Sequence, residues 1–125
     1  MGNGEQRVEL PPRPTSAAEA RRFVAKALRS VEPSVREVGV LLASELVTNA
    51  LLYAQGRIVV RVTPVEHAWR VTVHDGSSTD IRPRQVGIEA TSGRGLALVE
   101  QLSTSWGVDH DDGRGKEVWF EVPRT

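Results

Sequence analysis

The sequence predicts an α+β domain, a two-layer sandwich in which helices cover one face of a mixed, mostly antiparallel sheet. Three patterns carry that expectation. Residues 57–63 and 69–74 alternate apolar and polar side chains across a short polar turn, the signature of a hairpin. Residues 105–109 and 116–122 repeat it around Asp111, Asp112 and Gly113. Two stretches with helical spacing of apolar residues precede the first hairpin. Strands that come as hairpins favour antiparallel pairing, with the helices gathered on one side.

In chain order, residues 1–7 are polar and glycine-rich and read as a loose tail, and one domain spans 8–123. Val8-Glu9-Leu10 alternates until Pro11-Pro12 stops it, which predicts a short edge strand. Thr15 or Ser16 opens a helix, with Glu19 placed as the capping-box partner of Ser16. Ala20, Phe23, Val24, Ala27 and Leu28 then recur at three- and four-residue spacing, carrying the helix to about Ser30. Pro33 starts a long helix over residues 34–54. Apolar residues lie on nearly every side of it, as in a buried central helix. After the first hairpin, residues 75–92 lose periodicity and fill with Gly, Ser, Thr and Pro, and a loop of that length in a compact domain is usually functional or mobile. Leu96, Leu98, Val99 and Leu102 predict a third helix from Gly93 to about Ser103.

Composition narrows the function. The chain has 125 residues, 39% of them apolar, enough for one core without covalent staples. Sixteen basic and sixteen acidic residues cancel, which argues against a nucleic-acid binder, whose affinity rests on neutralising phosphates. The absence of cysteine excludes disulfides, thiol nucleophiles and Cys-ligated zinc, and suits a cytoplasmic protein. No stretch predicts a membrane span or a signal core. His67, His74 and His110 are scattered, without metal-site spacing.

Three groups of residues carry chemistry. Glu45 and Asn49 stand four apart on the long helix, so they face the same way amid Val38, Leu41, Leu42 and Leu52. A carboxylate and an amide there are costly unless they are paired or line a site. The amide oxygen suits hard Mg²⁺, and the carboxylate suits proton abstraction. The plainer alternative is a Glu45–Arg pair and a backbone bond from Asn49. Asp75 closes an apolar strand, where a buried carboxylate can accept a hydrogen bond from an exocyclic amine such as that of adenine; otherwise it is simply the start of an Asp-Gly turn. Thr91-Ser92-Gly93-Arg94-Gly95-Leu96 places two glycines where a loop enters a helix, which suits backbone contacts to phosphate, with Arg94 adding charge. Neither a dinucleotide fingerprint nor a Walker lysine motif is present. Trp69, Trp106 and Trp119 read as core or interface side chains.

In order and spacing, residues 45–54 (ELVTNALLYA), 71–77 (VTVHDGS), 91–102 (TSGRGLALVEQL) and 115–122 (GKEVWFEV) resemble the N, G1, G2 and final-strand motifs of GHKL ATPases and kinases. The chain is most similar to the stand-alone anti-sigma-factor serine/threonine kinases. The resemblance implies a histidine-kinase-like α/β sandwich with ATP and Mg²⁺ as cofactors. It implies Glu45 as general base, Asn49 as the ligand of nucleotide-bound Mg²⁺ and Asp75 as adenine reader. Tyr53, Gly76, Thr91, Ser92 and Gly93 would lie beside the nucleotide, Arg94, Gly95 and Leu96 at the phosphates, and residues 76–92 would form a lid. The implied partners are an anti-sigma-factor antagonist of the STAS type and a sigma factor, with a homodimer open and no direct nucleic-acid or membrane partner. The alternative is a nucleotide-binding or ATP-independent interaction module without kinase activity.

The sequence departs from the family pattern at three places. Ser77 and Thr79 stand where the Asp-x-Gly-x-Gly pattern has glycines. Leu52 and Tyr53 occupy the end of the N motif, where many relatives carry a basic residue and His. Lys116-Glu117 stands where many relatives have Thr.

Overall fold

The structure is a computed structural model that describes residues 4–53, 56–76, 105–110 and 115–124. Strand β1 (Gln6–Leu10) leads into helices α1 (Thr15–Ala27) and α2 (Pro33–Tyr53). The hairpin β2 (Ile58–Val65) and β3 (Ala68–Asp75) follows, and β4 (Ser105–His110) and β5 (Lys116–Pro123) close the chain. The five strands form one sheet in the order β1-β2-β3-β5-β4. Every described pairing is antiparallel, so no parallel pair of a mixed sheet occurs among the described residues.

Alternation along the strands decides which face is covered. Ile58, Val60 and Val62 pair across to Asp75, Val73 and Val71, which continue to Lys116, Val118 and Phe120. All nine of these side chains are buried. The helices lie over this face, α1 against β1 and β2, and α2 against β3 and β5. Val24, Leu28, Leu42, Leu46 and Val47 fill the space between the layers. Gly39 lets the helices approach closely: a Cβ there would stand 2.7 Å from Leu28 Cδ1. The other face is polar, laced by the Arg61–Glu117 and Arg70–Glu121 ion pairs, with the Arg70 guanidinium over the Trp119 ring.

Several local expectations are corrected. The capping box does not form: Ser16 is fully buried and donates its hydroxyl to the Pro11 carbonyl, leaving α1 without a side-chain cap. The α1 helix ends at Ala27, short of Ser30, because Leu28 leaves helical geometry as its C-cap (φ −99°, ψ 22°). The α2 helix is not buried all round: Leu42, Leu46, Val47 and Ala50 face the core, while Leu41 and Leu52 are 42% and 60% exposed. Pro64 and Val65 belong to β2 instead of the turn, which is left to Glu66 and His67, with His67 in the left-handed region (φ 68°). Pro64 lies beyond the last β1 rung at Val62, where an edge proline is tolerated. Trp119 stands on the polar face, whereas Trp69 and Trp106 pack against the core. The expected third helix from Gly93 lies outside the described residues.

Candidate functional site

At about 100° per residue, Asn49 projects within about 20° of Leu42, in line with the stripe of α2 that packs on the sheet. Glu45 projects about 60° from that stripe, between it and the flank bearing Leu41 and Leu52. Burial follows the angle: Asn49 is 8% exposed, and Glu45 is half-buried.

The partners of this pair are unusual. Among the described residues neither Asn49 Nδ2 nor Asn49 Oδ1 has a hydrogen-bond partner, although both atoms are fully buried. A buried amide with neither its donor nor its acceptor engaged costs about 1–3 kcal/mol. The backbone bond that would make Asn49 an ordinary core residue is therefore missing. The arginine that would make Glu45 a structural ion pair is missing as well: Arg21 reaches α2 from α1, but it donates to Ser44 Oγ at 3.1 Å. Among the described residues Glu45 has neither ion pair nor hydrogen bond.

Asp75 ends β3 on the covered face and is 3% exposed. It is more than the start of a turn. In the β3–β5 register it stands opposite Lys116, whose Nζ lies 3.1 Å from Asp75 Oδ1. Both side chains are almost completely buried. Gly115 allows this approach of the strands: with φ 131° it occupies a conformation that side chains resist, and a Cβ there would lie 2.1 Å from the Asp75 carbonyl oxygen. Lys116 stands out in the sequence only as a departure from a motif. Its role as the partner of Asp75 has no local signal, because the two residues are 41 apart and meet through β5 joining β3 ahead of β4.

The remaining expected site residues divide cleanly. Tyr53 is the last residue of α2, and Gly76 follows β3 exposed. Thr91, Ser92, Gly93, Arg94, Gly95 and Leu96 lie outside the described residues. Among the described residues no group of three or more His, Cys, Asp and Glu side chains could form a metal cage. An ion held through Asn49 would take its other oxygen ligands from a bound molecule or from water, as Mg²⁺ commonly does. The free amide oxygen fits that use.

An antiparallel sheet covered on one face by two helices defines a two-layer α/β sandwich. The chain belongs to the histidine kinase-like ATPase domain family, whose family model matches residues 10–122. No curated protein matches the chain. Solved structures share the fold at low identity. The RsbU and RsbW domains of Rv1364c from Mycobacterium tuberculosis align over 97% of this chain and 33% of their own, with 22% identity and a TM-score of 0.72. The histidine kinase domain of the blue-light activated histidine kinase EL346 from Erythrobacter litoralis aligns over 90% of this chain and 61% of its own, with 21% identity and a TM-score of 0.58. This chain thus spans about a third of the first protein and three-fifths of the second. The expected GHKL-type fold is met, and no helix among the described residues is long and apolar enough to cross a membrane.

Proposed function

We propose that the domain binds Mg·ATP against α2 and acts as a regulatory serine/threonine protein kinase of the anti-sigma-factor kind. The observation that carries this reading is the Asn49 amide, buried one turn from Glu45, with neither side chain partnered among the described residues. In this reading Asn49 is the protein ligand of a nucleotide-bound Mg²⁺, which when present draws charge from the phosphate oxygens. Asp75 meets the base, with Tyr53, Gly76, Thr91, Ser92 and Gly93 beside the nucleotide. Arg94, Gly95 and Leu96 contact the phosphates. Glu45 takes the proton from a serine or threonine hydroxyl of the partner as that oxygen attacks the γ-phosphorus, and ADP leaves. The phosphorylated partner is a small anti-sigma-factor antagonist of the STAS type, and the domain holds a sigma factor when not so engaged. The RsbW domain in one of the similar structures supports this choice of partner.

A second reading, a binding module without phosphotransfer, is favoured by Asp75, whose carboxylate is already engaged by Lys116. One experiment separates them: Mg·[γ-³²P]ATP is incubated with an antagonist protein and the domain, wild type or Glu45→Ala. The kinase reading predicts label on the antagonist, with a loss of roughly 10²–10⁴-fold in rate for Glu45→Ala and retained ATP binding. Nucleotide binding without transfer by the wild type selects the module, and equal transfer by both proteins removes Glu45 from the chemistry.

A further inference from the structure

The cations of the two layers differ. Within the strands, Arg7, Arg61, Arg70 and Lys116 are each ion-paired to a carboxylate. Arg13, Arg21, Arg22, Lys26, Arg29 and Arg36, on α1, its flanks and the first turn of α2, have no ion pair among the described residues. Residues 13–36 hold these six cations and two acids, Glu19 and Glu32, in a chain whose charges cancel overall. Glu32 already accepts from the Ser34 hydroxyl. Four of the six cations gather towards the end of α1. Ala20, Val24 and Ala27 are buried, while Arg22 and Lys26 stand exposed on the opposite side of the helix, one turn or about 6 Å apart. Arg29 donates to the Lys26 carbonyl at 2.9 Å, and Arg36 donates to the Arg29 carbonyl at 3.3 Å. Lys26, Arg29 and Arg36 thus crowd the C-terminal end of α1. That end carries about half a negative charge, which one cation is enough to offset.

The surplus positive charge favours an anionic occupant, and its surroundings select among them. Stable adsorption to a lipid surface needs an apolar face to bury in it. The apolar side of α1 packs in the core, and the exposed large apolar side chains, Leu41 and Leu52, belong to α2. Nucleic-acid affinity rests on many phosphate contacts, and four cations on a neutral chain supply few. A protein helix fits better. Carboxylates one turn apart on it match the spacing of Arg22 and Lys26, and the guanidinium forks of Arg22 and Arg29 suit carboxylate oxygens. No ion pair within the described residues has to break to receive it. We propose that Arg22, Lys26, Arg29 and Arg36 form a docking surface for an acidic helix of a partner protein. This surface uses none of the residues assigned to the nucleotide, so it stands or falls apart from that reading.

The test titrates the intact chain, without nucleotide, with an alanine-based helical peptide carrying Glu at every fourth position, followed by backbone amide shifts. Wild type is expected to bind with a Kd below about 1 mM in about 0.05 M salt, with the shifts gathered on residues 19–36. The triple variant Arg22→Gln/Lys26→Gln/Arg29→Gln is expected to bind at least about tenfold more weakly. Arg61→Gln, which removes a paired cation from the open face of the sheet, is expected to change the Kd less than about twofold. A peptide of the same composition with Glu spread around the helix is expected to bind about tenfold more weakly than the striped one. Should the triple variant fail to fold, Lys26→Gln alone decides, with a loss of about threefold. No binding at millimolar peptide, shifts scattered over the surface, equal binding of the two peptides, or an Arg61→Gln loss as large as that of the α1 variant overturns the proposal. Tighter binding of phosphatidylserine vesicles or of a DNA duplex than of the striped peptide overturns it as well.

Discussion

Lys116 and Glu117 are neighbours on β5, yet their ion pairs belong to different physical regimes. Lys116 points to the helix-covered face and meets Asp75 at 3.1 Å, with both side chains almost fully buried. Glu117 points to the open face and meets Arg61 at 2.7 Å, with each side chain about a third exposed. The shorter contact is the weaker contributor, because water and salt screen the open face and the charges there lose little hydration on folding. On the covered face both ions have left water, so each depends on the other. Distance alone would rank the two pairs the wrong way round.

Single substitutions on the two faces should break this contrast or sharpen it. The largest effect is expected from Lys116→Met, which strands a buried carboxylate. A loss of about 3–5 kcal/mol in urea unfolding is the usual scale, and the lower end applies because Asp75 has interactions beyond Lys116. The double variant Asp75→Leu/Lys116→Met should recover most of that loss, since an apolar pair of similar volume needs no partner ion. A double variant as unstable as the single one would mean that the ions themselves hold the sheet together. Gly115→Ala should cost about 1–3 kcal/mol from its left-handed φ, with the Cβ pressed against the Asp75 carbonyl besides. Arg61→Ala on the open face should cost only about 0.2–1 kcal/mol, shrinking further in 1 M salt. A thermal melt showing Arg61→Ala to be as damaging as Lys116→Met would erase the contrast between the faces.

The same two-sided logic explains what could be seen in the sequence. The strands were legible because one face of each is apolar: Val8 and Leu10, Ile58, Val60 and Val62, Val71 and Val73 alternate with polar residues. The α2 helix was legible from Pro33 and its long apolar periodicity, and the site pair on it from a carboxylate and an amide set in that pattern. Pairing across the sheet was not legible. Nothing near Lys116 announces Asp75, because their contact depends on β5 lying between β3 and β4 in space while following β4 in sequence. The capping box was a local expectation overridden by packing: the buried Ser16 hydroxyl found the Pro11 carbonyl, turning back to the chain that enters α1. The exposed flank of α2 was missed for a related reason. Apolar periodicity marks residues able to be buried, and Leu41 and Leu52 stay on the flank next to Glu45, pointing away from the sheet.

Among the buried polar groups, Asn49 differs from Asp75 in having no partner to satisfy it. A buried amide without a partner costs stability, and under the proposed function a bound nucleotide is what engages it. The most direct test is the melting temperature of wild type and Asn49→Leu, each with and without millimolar Mg·ATP. Without nucleotide, Asn49→Leu should be the more stable protein by about 1–3 kcal/mol, because the unsatisfied amide is gone. With nucleotide, wild type should gain stability by mass action and Asn49→Leu should gain none. An Asn49→Leu protein that is less stable than wild type and shifts equally with Mg·ATP would contradict the account, leaving Asn49 as a structural residue.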